Sequence, residues 1–146
     1  ALQQRDLFSQ VTIVDYLFER DRVYAFMNLD DNELFIYQKV FDLVARDLVR
    51  PDVVVYLQTP ADRLITRVRR RESDGEFDDP PPSPTDAYLA ELNEAYQHFF
   101  FHYTATPLLV VETSAIDVSW NDESVDDLLR QLRHMAGGTQ YYVPRS

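Results

Sequence analysis

The sequence predicts an α/β fold, a parallel sheet with helices on both sides in three layers, and three observations lead there. Short apolar runs alternate along the chain with longer segments of helical periodicity. Two of the runs, 53–57 (VVVYL) and 108–111 (LLVV), are continuous, the pattern of strands buried on both faces. Polar residues follow them directly, Gln58 after one and Glu112 with Thr113 after the other, at the carboxyl ends of strands where such sheets bind their ligands.

Taken in order, the run 11–14 (VTIV) reads as the first strand and ends at Asp15. Asp15, Glu19, Arg20, Asp21 and Arg22 then form a cluster of mixed charge. It suits gripping a sugar hydroxyl or a base edge, and equally an exposed patch of salt bridges. Asp30 caps the next helix with Glu33 as the reciprocal partner of a capping box, and Leu34, Tyr37, Phe41, Val44 and Leu48 fall on one face. After the second strand, Thr59 and Pro60 open a helix, because proline in the first turn gives up no needed hydrogen bond. Residues 73–82 (SDGEFDDPPP) are acidic, proline-rich and aperiodic, which predicts a mobile loop. Ser83 and Pro84 open a long helix with Tyr88, Leu92, Ala95, Phe99 and Tyr103 as its apolar stripe. A last helix spans about 123–135 and stops at Gly137 and Gly138, residues free to take the left-handed conformation.

Composition narrows the function. With 146 residues, 45% of them hydrophobic, the chain is expected to form a single domain over 1–146. No apolar stretch approaches the roughly 20 residues that cross a bilayer, and the first residues lack a secretory pattern, so a soluble, cytoplasmic protein without membrane partners is expected. The absence of cysteine removes disulfides, thiolate nucleophiles and cysteine zinc sites. A net charge of −11 disfavours nucleic acid polymers, so any phosphate binding must concentrate positive charge locally. The three glycines are at 75, 137 and 138 and the one lysine is Lys39, so the sequence contains no GxxxxGK[ST] phosphate loop.

Arg63, Arg67 and Arg71 recur every four residues on one helical face, with Arg70 beside the last. Two uses fit. The arginines form a solvated face paired with Glu72, Asp74, Glu76, Asp78 and Asp79, or they form a lid that closes guanidinium groups over a triphosphate. Glu94, His98 and His102 have a spacing that suits zinc, but Phe99, Phe100 and Phe101 beside them point to aromatic packing, and no metal site is expected. Trp120, Tyr141 and Tyr142 suit stacking on a base or docking of the C-terminal tail.

The strings DYLFERDRVYAFMNLDDNELFIYQKVFD, RPDVVVYLQTPADRLITRVRRR and AYLAELNEAYQHFFFHYTATPLLVVET together resemble the deoxynucleoside kinase family, in particular its bacterial deoxyadenosine and deoxyguanosine kinase-like members. The resemblance covers nearly the whole chain. It implies a P-loop kinase-like α/β/α fold, transfer of the ATP γ-phosphoryl group to the 5′-hydroxyl of a deoxyribonucleoside, a need for Mg2+, and a homodimer. Against the family's lid pattern RxxxRxRxxE, Arg67 and Arg71 match the first two arginines, Ser73 stands where the third would be, and Glu76 matches the acid. Arg69 or Arg70 would then replace the third. Asp15 takes the place of the acid in the signature after the family's third strand, with Arg20 or Arg22 reaching in. Asp21, Arg22 and Tyr24 resemble the lining of the base and sugar pocket, and residues 114–120, with Ile116 and Asp117, fall where the adenine-contacting loop lies. The family's first strand, phosphate loop and catalytic carboxylate would precede residue 1. The chain is therefore expected to represent the C-terminal two-thirds of such a kinase and to be inactive alone. Two alternatives stand beside it: a non-catalytic relative that binds a nucleotide or a protein, and a nucleoside monophosphate kinase of the thymidylate type.

Overall fold

A computed structural model of the chain describes residues 11–15, 17–75, 83–114 and 121–144. The chain gathers into two units, 1–51 and 52–146.

In the first unit a 3-10 turn, Phe18–Arg20, runs into α1 (Asp21–Asn28), followed by α2 (Asp31–Ala45). The start of α2 is the predicted capping box. Asp30 Oδ1 accepts from the Glu33 amide at 2.8 Å and Glu33 Oε2 accepts from the Asp30 amide at 3.0 Å, which satisfies two otherwise orphaned donors. Of the predicted α2 face, Phe41 is buried and Leu34 and Tyr37 are half-buried, but Val44 is exposed and Leu48 lies past the helix end. Phe41 stacks on Phe18 with ring centroids 4.8 Å apart, and Val23 and Ala25 are buried on α1.

The expected strand at 11–14 does not form. These residues carry no sheet pairing among the described residues, and Val11 and Ile13 are 74% and 86% exposed. An apolar run becomes a strand only when a neighbour takes its amide and carbonyl groups, and periodicity cannot supply that neighbour.

The second unit carries β1 (Val54–Gln58), α3 (Ala61–Ser73), α4 (Asp86–Phe101), β2 (Leu108–Glu112), α5 (Asp122–Arg133) and β3 (Thr139–Tyr142). The sheet has the order β1-β2-β3 and is parallel throughout, as predicted, with Val54 opposite Leu108 and Leu108 opposite Thr139. The middle strand is the core: Leu108, Leu109 and Val111 are fully buried, which explains its unbroken apolar run. On β1, Tyr56 stacks on Phe100 of α4 at 4.2 Å, while Val55 and Leu57 on the opposite face are exposed. Burial, and then the charge of Glu112, push the Tyr56 hydroxyl up to about 12, so it stays protonated through the physiological range.

Helix boundaries shift where side chains have better partners. Thr59 does not cap α3; Pro60 occupies the cap position and the Thr59 hydroxyl is used elsewhere. Thr85, two residues past Ser83, caps α4 by accepting from the Tyr88 amide at 3.1 Å. Within α4 the buried residues, Leu89 and Phe100, each lie one residue past a member of the expected stripe, whereas Tyr103, just beyond the helix, is buried as that stripe has it. Asn93, a polar residue, stands between Leu89 and Phe100 in the sequence.

The strand β3 went unpredicted, since TQYY is short and half polar. It forms because Gly137 and Gly138, at φ 114° and 69°, turn the chain back beside β2, where the Gly138 carbonyl accepts from the Leu108 amide at 2.9 Å. Tyr141 is exposed, and the Tyr142 hydroxyl donates to Asp127 of α5. Among the described residues no helix is long and apolar enough to cross a membrane.

Replacing Leu109, which has no exposed surface, by alanine should cost about 2–5 kcal/mol of stability, because its neighbours cannot close around the cavity. Urea unfolding of the wild type and the variant measures the difference; a loss within experimental error would contradict a core centred on β2.

Candidate functional site

Three parallel strands open their carboxyl ends at one edge of the sheet, and there the chain buries Thr59 and Thr113. They follow β1 and β2 directly. Their hydroxyls are 2.5 Å apart, and Thr113 donates both its amide and its hydroxyl to the Gln58 carbonyl, each at 2.9 Å. From α4, Asn93 Nδ2 donates to the Thr59 carbonyl at 3.1 Å. From α3, Arg67 reaches both strand exits: Nη1 donates to Thr59 Oγ1 at 3.3 Å and Nη2 to the Thr113 carbonyl at 3.0 Å. Glu112 Oε1 accepts from the Ser114 amide at 2.7 Å and shapes the exit of β2.

The other arginines of α3 separate by position. Arg63 and Arg71, one turn to either side of Arg67, are exposed. Arg69, outside the predicted stripe, carries the ion pairs. It donates to Glu72 at 3.0 Å, to Asp86 at 2.6 Å, to the Ser83 hydroxyl at 2.5 Å and to the Pro84 carbonyl at 2.6 Å. Ser83 donates in turn to Glu72 at 2.5 Å. Hydrogen bonds from Ser83 and then Arg69 hold Glu72 below the usual carboxylate range; those to Asp86 and then Glu72 raise Arg69 above its own. This latch joins the last turn of α3 to the first turn of α4. It uses Arg69 fully, which removes it as a replacement for a third lid arginine. The pairing of α3 with acidic residues expected from the sequence is thus real, but it belongs to Arg69 and to acids at the helix ends. Glu72 lies three residues on from Arg69, a helical spacing that marks the pair in the sequence, whereas Ser83, Pro84 and Asp86 are partners that only tertiary structure brings near.

Among the nucleoside-side candidates, Asp15 is exposed at a bend after 11–14. Asp21 Oδ2 accepts from the Tyr37 hydroxyl at 2.9 Å, and the Arg22 guanidinium lies over the Phe41 ring, 5.1 Å from its centroid. Arg22 Nε is buried with no hydrogen-bond partner. Asp21 and Arg22 therefore meet at the contact of α1 with α2. Tyr24 is exposed and stands about 200° round the helix from Arg22, so the two do not share one wall. Glu76, Ile116 and Asp117, and with them Trp120, lie outside the described residues, as does most of the loop 73–82. On α4 the His98 and His102 rings meet edge to face at 4.7 Å, and among the described residues no three histidine, aspartate or glutamate side chains are grouped to hold a metal.

With this geometry in hand, comparison with known proteins gives a consistent result. A family model described as deoxynucleoside kinase matches residues 2–136. The chain is similar to a deoxyadenosine kinase of Lactobacillus acidophilus, 22% identical over 142 residues, with 90% of this chain and 63% of that protein covered. The chain thus spans less than two-thirds of the length of that relative. No solved structure matches it. The helices and parallel sheet fit the P-loop kinase-like architecture that the sequence led us to expect.

The latch gives a prediction of its own. Arg69→Ala should speed hydrogen exchange several-fold at the amides of Ala87, Tyr88 and Leu89, the first turn of α4, and leave β2 unchanged. Because Glu72 is held below its ordinary value of 4.5, the latch is complete above that pH and is lost as pH falls through the depressed value. The exchange rate there, corrected for intrinsic chemistry, should stay flat from neutrality to that point and rise only on further acidification. Equal protection in the variant would remove the latch.

Proposed function

Because this chain belongs to the deoxynucleoside kinase family, we propose that it supplies the nucleoside-side segment, the lid arginines and the adenine loop of an enzyme that phosphorylates deoxyribonucleosides from ATP. The observation that carries this reading is Arg67, a cation held across the carboxyl ends of two parallel strands. In the reaction the 5′-hydroxyl of the nucleoside gives its proton to a general base, which we assign to no residue of this chain, and its oxygen bonds to the γ-phosphorus while the bond to the β–γ bridging oxygen breaks and ADP leaves. Arg67 and Arg71 neutralise the charge on the transferring group and Glu76 orders the lid. Asp15 and Tyr24, both exposed, are the candidates for direct contact with the nucleoside, Asp21 and Arg22 support that side from the contact of α1 with α2, and Ile116 and Asp117 are the candidates for the adenine of ATP.

The residues fit one side of a triphosphate. Guanidinium donors at the strand ends suit phosphoryl oxygens, whereas the sequence has no phosphate loop for the β- and γ-phosphates. Bound Mg2+ would supply charge neutralisation on the triphosphate, and we assign it no ligand in this chain. The 146 residues alone would not complete the transfer. The name of the Lactobacillus relative makes deoxyadenosine the first substrate to try.

A homodimer is part of the same proposal. Ile36, Val40 and Leu43 form an exposed apolar stripe on α2, at a spacing that suits a second copy of the helix. In sedimentation, Val40→Asp should shift the intact protein from dimer to monomer; an unchanged dimer would place the interface elsewhere.

The deciding assay offers the intact protein ATP, Mg2+ and, in turn, each deoxyribonucleoside and thymidylate. Formation of a deoxyribonucleoside 5′-monophosphate supports the proposal. Turnover of thymidylate alone would make it a monophosphate kinase, and no turnover would leave a binding protein. In the active enzyme, Arg67→Ala and Arg71→Ala should slow turnover about 100-fold or more while nucleoside affinity changes little. Unchanged turnover in both variants would remove the lid assignment.

A further inference from the structure

Chemistry fixes the hydroxyl protons of the strand-end network. A threonine hydroxyl has one proton to donate and two lone pairs. Thr113 gives its proton to the Gln58 carbonyl at 2.9 Å. In the 2.5 Å contact between the two hydroxyls Thr113 must accept, so Thr59 donates. Thr59 is left with lone pairs only, and these receive Nη1 of Arg67. The network runs one way, from the guanidinium through Thr59 and Thr113 to the last carbonyl of β1, and Nη2 makes a second contact with the carbonyl after β2.

We infer that Thr59 and Thr113 are positioning residues for Arg67, holding its guanidinium across the exits of β1 and β2 so that a triphosphate meets a cation already in place. The inference rests on the kinase reading above. These are the two buried polar residues among the described residues, and valine would fill the same volume without a polar group to satisfy. Among the acceptors of Arg67 are a hydroxyl and a carbonyl, which orient the guanidinium from two strands at once. Arg69, two residues on, is held by the carboxylates of Glu72 and Asp86. Asn93 secures the arrangement from α4 through the Thr59 carbonyl. Arg67 is thus the fixed root of the lid helix, and Arg71, one turn further and exposed, is its outer cation.

The test is kinetic, in the intact protein with ATP varied. Thr59→Val and Thr113→Val should each lower kcat/KM for ATP about tenfold, the scale of a lost hydrogen bond to a charged group. Deoxyribonucleoside affinity should hold in both. Serine at either position keeps the hydroxyl and should restore most of the activity, which a loss of packing alone would not allow. In an Arg67→Ala background, Thr59→Val should produce no further loss. Should a valine variant not fold, Arg67→Lys reads the same contact, because one ammonium cannot span both acceptors and should show a similar loss. An active wild type whose valine variants keep full kcat/KM, or lose equally with Arg67 absent, or in which Arg67→Lys is fully active, overturns this inference alone. A wild type that phosphorylates no deoxyribonucleoside overturns the kinase reading and this inference with it.

Discussion

Strand β2 is hydrogen-bonded along both edges and buried on both faces, and that position constrains the rest of the larger unit. Parallel neighbours cannot be joined by tight turns, so α3 with α4 must carry the chain from β1 to β2, and α5 must carry it from β2 to β3. With all strands pointing the same way, their last carbonyls emerge together, beyond the regular ladder. The Gln58 carbonyl takes two bonds from Thr113, and the Thr59 carbonyl takes one from Asn93 of α4. The polar chemistry at this edge is a consequence of having to finish a buried parallel sheet without leaving its terminal groups unpaired.

Helix α3 meets that edge with more positive charge than its own turns can pair. Arg67 and Arg69 are about 200° apart around the helix, so they face different surroundings. Arg67 finds neutral oxygens at the sheet, and Arg69 finds carboxylates at the start of α4. One side chain ties the helix to the strands and the other ties it to the following helix. Ser83 and Pro84, ahead of α4, are thereby held to Glu72 and Arg69 in the last turns of α3.

Much of this was legible in the sequence where local chemistry decides the outcome. The capping box of Asp30 and Glu33 needs only three residues, and the continuous LLVV of β2 reports burial on both faces without reference to anything distant. What depends on a distant partner was not legible. The run at 11–14 has the composition of a strand but no pairing, whereas TQYY has little strand character and pairs because two glycines return it to β2. Within α4 the stripe was misplaced by one residue because Asn93 looks like an interruption and is in fact a hydrogen-bonding member of the inward face. At the candidate site the four-residue spacing singled out Arg67, which reaches the strand ends, whereas Arg69 pairs with Glu72 three residues on and with Asp86, which only tertiary structure brings close. Thr59 was visible as a helix-start residue; that its hydroxyl serves the opposite strand follows only from the register that places Gln58 opposite Glu112.

For a chain with net charge −11, binding phosphate as proposed would meet a specific difficulty, since its own carboxylates would compete with the ligand for every guanidinium. The two arginines of α3 with resolved anchors show two answers to that competition. Where rigidity is wanted and no ligand is expected, at the junction of α3 with α4, carboxylates hold Arg69 and absorb its charge. At the strand ends, a hydroxyl and a backbone carbonyl are among the partners of Arg67, and these two fix its direction without themselves adding opposing charge. Hydroxyls at 59 and 113 suit that task better than carboxylates, since a buried carboxylate there would form an ion pair with Arg67 and repel a triphosphate from the same edge.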